Sequence, residues 1–165
     1  MGNGYNALKG VHFVVMALPY LIDLAGREHE RKWSYEGQEI EKGFFEDALQ
    51  EYCYSFYSIG SPATYEAFLA LSQKLVSVYP DYLDFANNIG SYHMIAKEDY
   101  KAAIKQYAKV LKKDPSNYTA IKNSILASRK MGNVKSEKKY LQMLVEHGPE
   151  NEKLVAQGRL SHLSK

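Results

Sequence analysis

Three prolines, Pro80, Pro115 and Pro149, stand 35 and then 34 residues apart, and the apolar patterns between them superimpose. A period of this length has room for two helices of three to four turns and the two reversals that join them. One such helix pair cannot bury its apolar faces alone, so the units must stack on one another. In a chain of 165 residues this repeat constrains the fold more than any single motif.

The unit from Asp81 to Pro115 is the clearest. Asp81, following Pro80, is placed to cap a first helix from Tyr82 to about Ile95. Residues 96–99 supply a turn, and Asp99 a second cap. Beyond it Tyr100, Ala103, Ile104, Tyr107, Val110 and Leu111 recur at three- and four-residue spacing along one helix face. Lys101, Lys105, Lys109 and Lys112 fall on the other face, and the run from Asp114 to Asn117 stops this helix and caps the next.

Ala86-x2-Ile89-Gly90-x2-His93, then Ala103-x3-Tyr107, then Pro115, resemble the tetratricopeptide repeat. Small Gly90 and Ala103 allow two antiparallel helices to approach, and Tyr107 fills the space towards the next pair. Two features depart from the family pattern: Ala86 replaces a large aromatic, and one extra residue lies between Gly90 and Ala103. In the unit from Ser116 to Pro149, Ile121, Ile125, Val134, Leu141, Leu144 and Val145 keep the apolar frame, with Gly132-Asn133 at the turn. There Glu137 stands where alanine is expected and Ser128 where an aromatic is. Upstream, Tyr65, Ala67, Leu69, Leu75, Val76 and Pro80 align at an offset of 35, with Ser61-Pro62 opening that helix and a partner helix over about Phe45–Ser58.

The resemblance implies an all-α fold, a right-handed α-solenoid of antiparallel helix pairs, with three pairs over residues 46–80, 81–115 and 116–149. Residues 150–165 are expected to form a C-terminal capping helix, with Leu154, Val155, Leu160 and Leu163 packing on the last pair. Residues 1–45 form an N-terminal extension of extra helices, about 6–24 and 28–42, which cap the array or complete a groove. Val11–Ala25 is too short for a membrane span and is interrupted by His12, Pro19 and Asp23. It reads as a buried helix broken or kinked at Pro19, with a strand over Val11–Val15 as the alternative. Met1-Gly2-Asn3-Gly4 is an arbitrary-looking start, so a cytoplasmic setting is expected if the chain is complete and is otherwise undetermined.

No glycine-rich phosphate loop, His-Glu-x-x-His or calcium loop occurs, and no cofactor is implied. Cys53 is the single cysteine, so neither an intrachain disulfide nor a multi-cysteine metal site can form, and a buried, inert thiol is expected. The five histidines are scattered: His93 falls on a packing position and His29 at a helix start. The lysines at 101, 105, 109, 112 and 113 lie on the second helix of their pair, outward in the family, and read as a solvated face rather than a nucleic-acid site. Net charge is +2 overall, but residues 1–80 carry −4 and residues 81–165 carry +6.

What the resemblance implies about function is a concave groove lined by the first helix of each pair. Its candidate positions are Asp84, Asn87, Asn88 and Ser91 in the middle unit, and Thr119, Lys122, Asn123, Leu126, Arg129 and Lys130 in the next. Asn88 and Asn123 are equivalent, and an amide at each would pair both the N–H and the C=O of an extended peptide. Lys122 and Arg129 would suit an acidic group. The family's clamp for acidic C-terminal tails is matched only at Asn88. The expectation is therefore a non-enzymatic scaffold binding a peptide or helix of a protein partner. The alternative is an assembly module that self-associates, or docks within a larger polypeptide, through aromatic N-terminal helices. A catalytic or small-ligand role built by residues 1–45 is the third reading.

Overall fold

The structure, a computed structural model, describes residues 34–39 and 43–164. The first of these segments is a small hairpin, in which β1 (Ser34–Tyr35) pairs antiparallel with β2 (Gln38–Glu39). Glu36 and Gly37 between them both have positive φ, 49° and 81°, as a two-residue hairpin turn of the I′ kind requires. This corrects the helix expected over 28–42, because two successive left-handed residues cannot belong to a right-handed helix. The helix over 6–24, its break at Pro19, the strand alternative and His29 lie outside the described residues.

Seven helices follow: α1 (Phe44–Ile59), α2 (Pro62–Val78), α3 (Leu83–Ile95), α4 (Tyr100–Lys113), α5 (Tyr118–Lys130), α6 (Val134–His147) and α7 (Glu150–Leu163). Their limits are written in local chemistry. Ser61 and Thr64 each accept the other's backbone N–H, a capping box with Pro62 in the first turn of α2. Asp99, Asn117 and Asn133 take the amides of Ala102, Ala120 and Ser136 at the starts of α4, α5 and α6. Gly132, at φ 63°, allows the sharp reversal between α5 and α6. The fold is all-α and of the helical-repeat kind, with consecutive helices packed through short turns.

Two compact units divide the chain at Asn88 and Ile89, inside α3. In the first, α1 packs on α2 around Cys53, Phe56, Phe68, Leu71 and Leu75, all buried. The Tyr57 and Phe68 rings lie 5.6 Å apart, and Tyr82 stacks obliquely on Phe85 at 4.7 Å. The Tyr82 hydroxyl donates to Asp47 at 2.6 Å.

The second unit stacks α4 on α5, α5 on α6 and α6 on α7. Gly90 explains the close approach at its start: a Cβ there would fall within 3.0 Å of the Tyr107 ring. That ring is fully buried, and its hydroxyl lies 3.2 Å from Ser91 Oγ. Ala103, Val110, Ile121, Tyr140, Leu141 and Leu144 extend this core, while the lysines of α4 are exposed.

α7 departs from expectation. Leu154 and Val155 are 67% and 68% exposed, and Ala156 is the buried side chain of the helix. The packed face runs through Glu152, Ala156, Leu160 and Leu163, none of them exposed, at the three- and four-residue spacing of one helix side. Val155 and Leu154 lie about 100° and about 200° round from Ala156. Small Ala156 thus sets which face approaches α6, and two larger apolar residues are turned outwards.

Candidate functional site: a cleft between α5 and α7

Four of the six α5 candidates converge on one cleft of about 280 Å³: Lys122, Asn123, Leu126 and Arg129. Its floor is Leu141 and Leu144 of α6, and its far wall is Glu152, Val155 and Ala156 of α7. Every one of these residues belongs to the second unit. Leu126 and Val155 are both exposed, giving the opening an apolar rim. Thr119 and Lys130 are exposed near the two ends of α5.

The charges of this cleft are arranged by the chain itself. Lys122 Nζ lies 3.0 Å from Glu152 Oε1, and the Tyr118 hydroxyl donates to the same oxygen at 2.7 Å. The Tyr118 hydrogen bond, then Lys122, holds the Glu152 carboxyl below its ordinary range. Lys122 in turn is held above the usual lysine value by Tyr118 and Glu152. Its ammonium also sits 5.0 Å from the Tyr118 ring centroid.

Arg129 Nε donates to Glu137 Oε1 at 2.6 Å, and Arg159 Nε donates to that oxygen at 2.9 Å, with a longer contact of 3.3 Å to Oε2. The Glu137 side chain is only 4% exposed. Arg159, then Arg129, outweighs the burial and holds its carboxyl below the ordinary glutamate value. Three cations against two carboxylates leave the cleft and its margin with one positive charge. An apolar side chain entering between Leu126 and Val155 would find hydrocarbon at the floor and the Asn123 amide on the wall.

The α3 candidates form a different arrangement. Asn88 is buried and exchanges two hydrogen bonds with Gln50, at 2.9 and 3.1 Å. Asn87 is also buried, with Nδ2 3.4 Å from Asp84 Oδ1. Ser91 is engaged with Tyr107. The amide ladder expected from Asn88 and Asn123 is corrected on this point, since the Asn88 amide is occupied inside the first unit. No sequence signal marked Gln50, which lies in the pair with the weakest family pattern. Glu137 did carry a signal: a carboxylate at a position that wants a small buried residue demands cationic partners.

Cys53 is fully buried, and burial pushes its thiol up to about 12, so it is protonated and unreactive. His93 lies against Tyr92, with ring centroids 5.5 Å apart. Among the described residues no group of three or more His, Cys, Asp or Glu is placed to hold a metal ion. No described helix is long and apolar enough to cross a membrane.

Stacked helices with short turns, and a cleft between alternate helices, define a helical-repeat domain, a class built to present surfaces to other proteins. Residues 92–158, less than half the chain, match the family described as the TT21 fifth ARM repeats domain. ARM repeats are themselves stacked helices, so the match supports the helical-repeat kind. No curated protein matches the chain.

Proposed function

We propose that the second unit is a non-enzymatic interaction scaffold that takes a segment of a partner protein in the cleft between α5 and α7. The observation that carries this reading is the convergence of Lys122, Asn123, Leu126 and Arg129 on one cleft with an apolar floor. The helix pairs resemble tetratricopeptide repeats in Gly90, Ala103, Tyr107 and Pro115, and in that family the first helix of each pair contacts the ligand. Leu126 and Val155 supply apolar contact, Asn123 a backbone-directed amide, and Lys122 a cation that an incoming carboxylate would share with Glu152. Ser91, Thr119, Lys130 and the first-unit residues Asp84, Asn87 and Asn88 have no part in it.

Selection of peptides from a displayed random library against the full chain tests the proposal. Leu126→Asp and Lys122→Glu serve as counter-targets. A shared apolar consensus is expected, with binding reduced about tenfold or more by Leu126→Asp, because one buried aliphatic contact is worth that much. Failure to select any consensus, or equal binding to both variants, would remove the cleft from consideration.

A further inference from the structure

We propose that the chain associates head to tail with a second copy of itself, helix α1 of one copy docking on helix α7 of the next. Three observations meet here. On α7, Leu154 and Val155 are about two-thirds exposed, and at Gly158, one turn beyond Leu154, an added Cβ would meet nothing within 4 Å. This leaves a low apolar strip that another helix can approach closely. On α1, Tyr52, Tyr54 and Ile59 are each more than half exposed, and Tyr52 and Ile59 stand two turns apart on one side of the helix.

The third observation selects the occupant. Residues 1–88 hold 6 Lys/Arg against 12 Asp/Glu, net −6, while residues 89–165 hold 15 against 7, net +8. Two first units repel each other, as do two second units, so α1-on-α1 and α7-on-α7 pairings are disfavoured. A first unit on a second unit is attracted and steered by the same charges. Exposed Glu51 beside Tyr52, and the exposed lysines of α4 and α6, carry part of this difference. Because the two faces are unlike, the contact is heterologous and propagates into rings or chains. Val155 borders both this strip and the cleft, whereas Leu154 does not line the cleft, so Leu154 is the residue that tells the two surfaces apart.

Sedimentation equilibrium of the full chain reads the outcome. At low ionic strength the mass should rise above 18.8 kDa with concentration. It should fall back as salt increases from about 0.05 M to about 0.5 M, where the screening length shrinks to a few ångströms. Leu154→Asp and Tyr52→Lys, both at exposed positions and judged folded by circular dichroism, should each weaken association about tenfold or more when studied alone. Mixed one to one, they should form a dimer and stop there, since each supplies the face the other has lost. Leu126→Asp should associate like the wild type, which separates this surface from the cleft. A single 18.8 kDa species at low salt and high concentration would overturn the proposal. So would variants that still associate alone, or a mixture that stays monomeric.

Discussion

At Gly90 the absence of a side chain holds two helices together. Tyr107 is buried against it and linked to Ser91, so the ring has no room to swing away from a methyl group. Gly90→Ala is expected to cost about 1–3 kcal/mol in urea denaturation, despite the better helix propensity of alanine. Added to Tyr107→Leu, it should cost distinctly less than it does alone, because the shared clash is then gone. Glu137 presents the opposite case, a large charged residue where the repeat pattern asks for alanine. Glu137→Ala would restore the family residue yet strand Arg129 and Arg159 without their shared acceptor. A loss of about 1–3 kcal/mol in the same assay is expected, and a gain would show that the buried carboxylate is dispensable.

At the scale of elements, the helix starts and the attachment of α7 rest on polar groups. The capping box of Ser61 and Thr64 fixes the start of α2, and Ser61→Ala should lower the melting transition by the equivalent of about 1 kcal/mol. α7 fully buries only Ala156, half-buries Leu160 and Leu163, and is tied by Glu152 to α5 and by Arg159 to Glu137 of α6. Both glutamates have depressed values in the folded chain. Their contribution is therefore present above the ordinary glutamate value of about 4.3 and is lost as pH falls through the lower folded values. Cα chemical shifts of residues 150–163 in an acid titration should show α7 loosening in that window. Glu137→Gln with Glu152→Gln should flatten the pH dependence, and a helix equally pH-sensitive in that double variant would rule this attachment out.

For the whole molecule, the uneven charge matters more than the net value of +2. If copies associate head to tail as proposed, a chain carrying −6 on one unit and +8 on the other should do so most strongly where net repulsion vanishes, near its isoelectric point of about 8.4. Turbidity at that pH is expected to be highest at low salt and to clear as salt is added. Turbidity that instead grew with salt would mean apolar contact dominates.

The helical-repeat character and most helix limits were legible in the sequence alone. The proline period, the caps at Asp99 and Asn117, the Ser61-Pro62 helix start, the Gly132-Asn133 turn and the 3.6-residue pattern of α4 are local signals, and local signals act through neighbouring backbone groups. The sequence also marked Lys122, Asn123, Leu126 and Arg129 as one face of α5, which the cleft brings together. Tertiary structure decided what no local pattern encodes: that Asn88 is spent on Gln50, 38 residues away, and that Glu137 gathers two arginines. It also turned α7 on Ala156, so that Leu154 and Val155 face outwards. The physical reason is the same each time. A helical period says which residues share a face, but only packing against a distant neighbour, with its volume and its unpaired polar groups, says which face is buried.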